Sequence, residues 1–473
     1  MTARQKTLAL LTVVIALVLE IVDFTIVNTA LPSIRRDFGG GGDVTQWIVA
    51  GYSLSFALLL MAGGRLGDSF GYRPIYVVGV AGFTLSSLAC GLAANGQQLI
   101  VARLCQGATG ALMAPQALAL VQVLFTPRER VSKMAVFGLV GGIASISGPI
   151  LGGLLIAANL FGLGWRMIFL INLPVGIVAT AAGWLLLPHA RSARPAGFDT
   201  AGMLLFGGAV AAALWPLSRV GAGLHWPEAA ALFAAIPLAV AGWRHVGTRV
   251  AAHRAALFDP ALFAIPCFRL GIAISVIFAV ANGGFLLIFA FALQTERGLS
   301  PLTAGLLHIP FGLGVMFGIV VLGRNLLPGM GRWLLVCGAL IMAVAGAGVL
   351  TGVGAPGLSF AALIPMIALA GTGMGLMAGG TGPVTLAQVD PDHAGASSGL
   401  LKTCQELGSA IGVACVGGVY FAWGRSRGLP PSQPAMWLIV VLLMLCALIA
   451  LRLPRDIFGH DPHHLPEGTV DNA

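Results

Sequence analysis

The chain has 473 residues, of which 58% are hydrophobic and only 9% are charged, and its mean hydropathy is +0.93. Because about a quarter of the residues in a soluble protein are charged, this composition excludes a soluble enzyme and a disordered scaffold. The net charge of +9 is not gathered into a basic stripe with interleaved aromatic residues, so the sequence predicts no nucleic-acid partner.

Long apolar stretches recur along the whole chain. Segments 75–94 and 435–451 are continuously apolar at the length that an α-helix needs to cross a bilayer, whereas an outer-membrane barrel would show alternating segments of about ten residues. The predicted fold class is therefore an all-α polytopic membrane protein. Its fourteen transmembrane spans are expected at 8–30, 46–64, 75–94, 99–123, 134–158, 166–187, 198–218, 228–246, 270–293, 302–322, 333–353, 358–382, 397–423 and 435–452.

Two polar linkers interrupt the regular succession of spans. A Pro- and Arg-rich linker at 188–199 follows span six, and a basic connection at 244–269 follows span eight. This layout predicts two six-helix bundles joined by an inserted helical pair, as in transporters built from related halves. The predicted units are an N-terminal bundle at 1–190, a linker with two inserted transmembrane helices at 191–256, a C-terminal bundle at 257–455 and a cytoplasmic tail at 456–473.

The distribution of basic residues predicts the orientation in the membrane. With the N-terminus inside, the inner connections carry 17 of the 26 Lys and Arg residues and the outer connections carry 7, while Arg103 and Lys402 lie within spans. Cytoplasmic connections are enriched in these residues. We therefore expect a multi-pass protein of the inner (plasma) membrane with both termini in the cytoplasm.

No motif in the sequence indicates a nucleotide, a metal or a catalytic nucleophile. There is no GxxxxGK[ST] string, and the seven cysteines include no CxxC pair. The sequence thus predicts a protein that is not an enzyme and that binds neither a cofactor nor a metal.

Seven strings of the sequence occur in the order in which one family carries them. They are DFTIVNTALPSI at 23–34, TQWIVAGYSL leading into GRLGDSFGYR at 64–73, VARLCQGATGA at 101–111, GPILGG at 148–153, WRMIFLINLPVG at 165–176, LQTERGLSPLTAGLLHIP at 293–310 and GASSGLLKTCQELGSAIG at 395–412. They resemble the fourteen-span drug:proton antiporters of the major facilitator superfamily, the multidrug and quaternary-ammonium resistance type. The resemblance implies alternating access, in which two six-helix halves rock around a central cavity.

The loop between spans two and three has a physical rationale of its own. Gly64 and Gly71 permit a tight turn between helices, while Asp68 and Arg73 can pair with charged groups or with lipid phosphate. The resemblance implies that this loop is a cytoplasmic latch between conformations. A charged turn that merely ends span two is the alternative.

A glycine-rich element with a proline lies in span five. Gly148, Gly152 and Gly153 permit close approach of a neighbouring helix, and Pro149 removes a backbone hydrogen bond and bends the helix. The resemblance assigns this antiporter motif a seal against proton leak. Generic packing of small residues is the alternative.

Five ionisable residues are predicted at membrane depth, where each costs several kcal/mol unless it is paired or faces water. They are Glu20, Asp23, Arg103, Lys402 and Glu406. Glu20 and Asp23 stand at i and i+3 and share a helix face, which favours a titratable pair. The resemblance implies a proton-coupling role for Asp23, tuned by Arg103, with a structural ion pair between them as the alternative. Lys402 and Glu406 predict an internal ion pair, with a cavity role for Glu406 as the alternative.

Four further polar residues are candidates for contact with a substrate, namely Asn28, Gln106, Gln294 and His308. A lone helical histidine such as His308 is more often structural. The predicted function is export of a hydrophobic or cationic drug or antibiotic in exchange for protons, by a monomer in the lipid bilayer. The alternatives are a dedicated exporter of one secondary metabolite, a proton-coupled nutrient importer and a membrane receptor without transport.

Overall fold

The computed structural model describes residues 2–39, 41–191, 197, 199–218, 225–252, 254–354, 360–390, 394–423, 430–455 and 457. Within these residues fourteen helices are long and apolar enough to cross a bilayer, and no β-strand occurs. We label them α1 to α14: Ala3–Phe38, Gly42–Phe70, Tyr72–Gly91, Gly96–Leu124, Pro127–Ala158, Gly164–Leu186, Thr200–Ser218, Trp226–Ala251, Pro266–Glu296, Pro301–Met330, Arg332–Gly354, Phe360–Leu386, Ala394–Trp423 and Ser432–Ala450.

The predicted fold class and the predicted number of spans are confirmed, and each helix overlaps the span expected for it. Several helices begin before their apolar core because polar residues cap the first turn. Thr2 and Gln5 form a capping box at the start of α1, and the Thr126 amide donates to Glu129 at 2.9 Å at the start of α5. Such caps satisfy amides that have no partner within the helix. The polar ends of these helices therefore lie outside the stretch that hydropathy predicts.

Two helices change their winding in the C-terminal part of the chain. The last turn of α9, Ala292–Glu296, and a segment of α10, Phe317–Gly323, are π-helical. π-Helical turns are rare in proteins, and many of those that exist lie at functional sites. Hydropathy does not predict them.

Contacts between the helices follow the predicted layout. In the N-terminal part, α1 packs on α4, α5 and α6, while α4 also packs on α2 and α3; in the C-terminal part, α9 packs on α12, α13 and α14, and α12 packs on α10 and α11. The inserted helices α7 and α8 pack mainly on each other. The exact domain boundaries stay predictions, and the tail at 456–473 lies outside the described residues except for Ile457, as do parts of the linker at 191–256.

One buried carboxylate connects the inserted pair to the chain that follows it. Asp199 accepts hydrogen bonds from the amide of Gly202 at 3.0 Å, from His245 at 2.8 Å and from the amide of Leu257 at 3.1 Å. Burial alone would raise the pKa of Asp199, but these hydrogen bonds outweigh it and lower the pKa from its ordinary value. The carboxylate is thus charged at neutral pH and ties α7, α8 and the following linker together.

The two six-helix groups meet at the end of the molecule that carries the connection between α1 and α2, which we call the closed end. The helix α13 packs on α2 and α10 packs on α5, and at this end Gly42 of α2 lies against Phe421 of α13. Arg35 of α1 lies over the ring of Phe421 of α13, 4.7 Å from its centroid. Deeper in the same interface, the side-chain amide of Gln294 donates to the carbonyl of Thr29 at 2.9 Å.

Candidate functional site

A buried polar cluster surrounds Asp23 in the middle of α1. The Asp23 side chain is fully buried and its carboxylate lies 2.5 Å from the guanidinium of Arg103 on α4. The amide of Gln106 donates to the other carboxylate oxygen at 2.9 Å, and the amide of Asn172 on α6 donates to the same oxygen at 3.0 Å. Three donors from two helices therefore hold one carboxylate that no solvent reaches. We call Asp23, Arg103, Gln106, Asn172 and Ser87 the Asp23 cluster.

Arg103 is held as firmly as its partner. Its side chain is 1% exposed, donates to the carbonyl of Ile48 at 3.2 Å and to Gln106 at 2.7 Å, and lies 4.3 Å from the ring centroid of Tyr52. A buried ion pair is weak evidence for stability, but removing one partner leaves a buried charge and is strongly destabilising. Protonation of Asp23 would have this effect on Arg103. The cluster therefore couples the charge of one carboxylate to the packing of α1, α4 and α6.

Two members of this cluster were not among the predicted site residues. Asn172 lies in the string WRMIFLINLPVG, and Ser87 lies in α3; each is buried, and Asn172 donates to the Ser87 hydroxyl at 2.9 Å. The available signal was a single amide in an otherwise apolar stretch of span six. Such a residue has to find a partner because an unpaired amide in an apolar medium costs several kcal/mol.

A second group of charged residues comes from both six-helix groups. On α13 the ammonium of Lys402 lies 2.7 Å from the carboxylate of Glu406, and their side chains are 50% and 14% exposed. Both groups act electrostatically on Glu20 of α1. We call these three residues the Glu20 cluster. In the described part of the chain, neither this cluster nor any other gathers three His, Cys, Asp or Glu side chains that could hold a metal ion.

The internal ion pair between Lys402 and Glu406 is present, as the i, i+4 spacing predicts. The partners of the two α1 carboxylates differ, although the carboxylates are one turn apart. Asp23 is held by donors of the N-terminal helices, whereas the charged groups that act on Glu20 are those of α13. The proton-coupling roles of Glu20, Asp23, Arg103 and Glu406 stay predictions.

The predicted substrate contacts lie in three different settings. Gln106 belongs to the Asp23 cluster, and Asn28 donates back to the carbonyl of Phe24 at 3.3 Å. Gln294 lies in the π-helical turn at the closed end. His308 is buried, with Nδ1 2.8 Å from the carbonyl of Ala304 and its ring edge-on to Phe289. The structure does not bring these four residues together, and their role toward a substrate stays a prediction.

The antiporter motif forms close backbone contacts. A Cβ on Gly148 would collide with Thr25 of α1, and one on Gly152 would lie 3.0 Å from Ile26. A Cβ on Gly153 would meet the backbone of Pro301 in α10.

The contact with α10 is reciprocal, because a Cβ on Gly305 would meet the carbonyl of Pro149. The motif thus packs α5 against α1 by one pair of glycines and against the other half by Gly153. Pro149 stands inside the continuous helix α5. Its predicted bend and the seal against proton leak remain predictions.

The predicted loop between spans two and three is shorter than expected, because α2 continues past Gly64 and only Gly71 separates it from α3. The tight turn predicted at Gly71 is present, whereas the turn predicted at Gly64 is wrong. Gly71 has φ +101°, a left-handed conformation that favours glycine. The hydroxyl of Tyr72 donates to Asp68 at 3.0 Å, and Gly64 lies against Pro115 of α4.

Arg73 connects this loop to the end of α6. Its guanidinium donates to the carbonyl of Trp184 and lies 3.0 Å from a ring nitrogen of His189. It also stacks over the Trp184 ring, 5.0 Å from the centroid. These contacts lie in the N-terminal six-helix group, and the role of the loop as a latch between conformations stays a prediction.

Comparisons with known proteins agree with this architecture. The model of the Major Facilitator Superfamily matches residues 13–413, from α1 into α13. The "Probable actinorhodin transporter" of Streptomyces coelicolor is 37% identical over 85% of this chain and 70% of its own length. The "Multidrug resistance protein Stp" of Mycobacterium tuberculosis is 32% identical over 89% of this chain and 77% of its own length.

A solved structure shares the fold at low sequence identity. The crystal structure of a bacterial homolog of the human lysosomal transporter Spinster, in an inward-facing and occupied conformation, is similar with a TM-score of 0.70 at 17% identity, over 97% of this chain and 99% of that one. This likeness concerns the fold alone. With the family match along most of its length, the fourteen-helix architecture and the two similar transport and resistance proteins, this chain belongs to the Major Facilitator Superfamily.

Proposed function

We propose that this protein is a proton-coupled antiporter that exports hydrophobic or cationic drugs or antibiotics. The observation that carries the proposal is the buried pair of Asp23 and Arg103, 2.5 Å apart in the N-terminal half of a superfamily transporter. Ionisable residues inside a membrane domain mark proton relays and substrate pathways. The names of two relatives, an actinorhodin transporter and a multidrug resistance protein, support export as the direction of transport.

In the proposed cycle, the two protonation states of Asp23 stabilise two conformations. The charged carboxylate keeps α1, α4 and α6 together through its three donors. The neutral acid loses the ion pair and leaves Arg103 to be satisfied by other groups, so the helices rearrange. A proton taken up on one side of the membrane and released on the other thereby drives the change between the two conformations.

The proposed orientation follows from the basic connections. Both termini, the 64–73 loop and the linker after α6 lie in the cytoplasm, and the protein is a monomer embedded in the lipid of the inner (plasma) membrane. With this orientation the closed end faces outward. In the proposed cycle a state that opens toward the cytoplasm loads substrate and releases protons, and the 64–73 loop latches that side in the opposite state.

Reconstitution into proteoliposomes tests this proposal. With the outside acidic, a cationic dye should move out of the interior space that corresponds to the cytoplasm. This export should carry protons into the same space. Asp23→Asn should abolish both fluxes. Asp37→Asn is the matched control, because Asp37 lies on the same helix and pairs with Arg166 at 2.8 Å but is 46% exposed. Dye export by Asp23→Asn at the wild-type rate would contradict the proposal, and so would export at a rate that does not depend on the pH gradient.

A second candidate function is the dedicated export of one antibiotic by its producer. It is favoured by the name of the actinorhodin transporter, which shares 37% identity with this chain. A susceptibility panel on expressing cells separates the two functions. Resistance to several unrelated compounds supports multidrug export, whereas resistance to one chemical class supports the dedicated exporter.

A further inference from the structure

Lys402 is a charged residue within a predicted membrane span, and half of its side chain is exposed. It lies in α13, within the stretch Ser397–Trp423 that is long and apolar enough to span the bilayer. Glu20 comes from the other half of the molecule and feels the charges of both Lys402 and Glu406. The two groups thus come from opposite halves, and the half-exposed side chain of Lys402 is not enclosed by helix packing.

The ion pair of Lys402 with Glu406 is weak enough for another cation to replace the ammonium. Lysine carries a compact charge on a flexible four-carbon stem, unlike the planar and rigid guanidinium of arginine. An ion pair with this exposure changes the equilibrium constant for forming the pair by a factor of about two to five at most. Arg103 in the Asp23 cluster is 1% exposed and has three further contacts, so nothing displaces it without moving helices.

Removal of the ammonium would leave a site for a cation. Glu20 and Glu406 then present two carboxylates from opposite halves with no lysine to balance them. On α1, the apolar side chains Leu17, Ile21 and Phe24 lie within about one turn of Glu20 and are only partly buried. The site thus combines negative charge with apolar surface.

A buried hydroxyl provides an independent observation at the same place. Tyr52 of α2 is 1% exposed, and its hydroxyl has no hydrogen-bond partner among the described residues. The charges of Glu20, Glu406 and Asp23 all act on this tyrosine. Tyr52 borders the Asp23 cluster, with its ring centroid 4.3 Å from the Arg103 guanidinium, and lies within electrostatic range of the Glu20 cluster. Its hydroxyl is an unused donor and acceptor, which a ligand or a water in this region would satisfy.

We propose that Lys402 is an exchangeable internal cation, which in the empty transporter occupies the place that the cationic group of a substrate takes between Glu20 and Glu406. The inference rests on the proposed function and adds to it the residue that occupies the cation site when no substrate is bound. Binding moves Lys402 away from Glu406, and departure of the substrate lets it return. The lysine thereby keeps the empty site from closing around unpaired carboxylates.

Equilibrium binding of tetraphenylphosphonium and tetraphenylborate to the purified full chain in detergent tests the proposal, because these probes share a shape and differ in the sign of their charge. Lys402→Met should bind tetraphenylphosphonium about two- to fivefold more tightly than wild type, since the competing ammonium is gone. Lys402→Arg, which keeps the charge on a more rigid group, should bind it no more tightly than wild type. Glu20→Gln and Glu406→Gln should each weaken its binding.

Three results would overturn the proposal. The first is unchanged or weaker phosphonium binding by Lys402→Met, and the second is a selective loss of tetraphenylborate binding, which would make Lys402 an anion-binding group. The third is unchanged phosphonium binding by both carboxylate variants. Lys402→Gln is a second neutral variant in case the methionine variant does not fold, and size-exclusion chromatography checks each preparation.

Flux measurements on the same preparations separate this inference from the proposed function. Proton-driven export of tetraphenylphosphonium with equal affinity in wild type and Lys402→Met contradicts the exchangeable cation alone. The expected binding pattern without any proton-driven flux contradicts the antiporter and leaves the cation site in place.

Discussion

The two charged clusters begin one helical turn apart on α1 but have opposite environments. Asp23 is fully buried, with three donors from the N-terminal helices. Glu20 is only partly buried, and the charges that act on it are those of Lys402 and Glu406 on α13 of the other half, where the Lys402 side chain is 50% exposed. A single helix thus directs one carboxylate into a closed cluster within a half and the next into an open cluster between the halves.

This difference indicates how the two carboxylates can divide the work of transport. A change in the charge of Asp23 cannot occur without disturbing the packing around Arg103, so it is linked to movement of helices. A change at Glu20 meets an exposed and flexible partner, so it can accompany binding of a ligand without such movement. The closed cluster is suited to drive the conformational change, and the open cluster is suited to recognise what is transported.

The largest expected effect is on the stability of the closed cluster. Asp23→Asn should lower the free energy of unfolding by about 3–5 kcal/mol, because it leaves the guanidinium of Arg103 buried without its counter-charge. Glu20→Gln should cost less than about 1 kcal/mol, since among the described residues no ion pair within 4 Å holds this carboxylate and the charges that act on it are those of the half-exposed pair on α13. Thermal unfolding of the purified variants in detergent measures both changes.

A double variant provides the control for this stability comparison. Asp23→Asn combined with Arg103→Gln removes both charges and should recover part of the lost stability. Equal losses for Asp23→Asn and Glu20→Gln would show that the two clusters do not differ as their burial indicates.

The second prediction concerns voltage and tests whether Glu20 carries a proton of its own. Exchange of one proton for one monovalent cation moves no net charge, whereas a second proton adds about 2.3 kcal/mol per 100 mV, or about a 50-fold steeper attainable cation gradient. Export of a cationic dye by wild type should therefore depend on voltage, and Glu20→Gln should make it electroneutral. Flux in proteoliposomes with imposed potassium gradients and valinomycin measures this dependence.

One result would contradict a proton-carrying role for Glu20. Identical voltage dependence in wild type and Glu20→Gln would mean that Glu20 binds substrate or structures the site but does not move a proton. Asp37→Asn is again the matched control on the same helix, because its exposed ion pair with Arg166 lies at the end of α1.

Hydropathy and local spacing predict most of the fold. The fourteen spans follow from the length of the apolar stretches, and the pair of Lys402 and Glu406 follows from i, i+4 spacing. The extended starts of α1 and α5 and the π-helical turn at Ala292–Glu296 do not follow, because caps and local winding depend on a few hydrogen bonds that hydropathy ignores.

The candidate site is predicted only in part, since its partners are distant in sequence. The shared helix face suggests that Glu20 and Asp23 form a pair, but helical spacing does not tell which neighbouring helix each one meets. Asn172 and Ser87 lie 149 and 64 positions from Asp23 in the sequence and reach its cluster through α6 and α3. Their participation depends on tertiary packing, which a single sequence does not reveal.

The smallest expected effect is the coupling energy of the open ion pair. A double-mutant cycle with Lys402→Met and Glu406→Gln isolates the interaction between the two side chains. Because the lysine is 50% exposed, we expect a coupling energy of about 0.2–1 kcal/mol in thermal or chemical unfolding. The same cycle on Asp23 and Arg103 should give a value several times larger. A coupling energy of more than about 2 kcal/mol for Lys402 and Glu406 would mean that the pair is a fixed structural element, and Lys402 would then be too firmly held to exchange with a substrate.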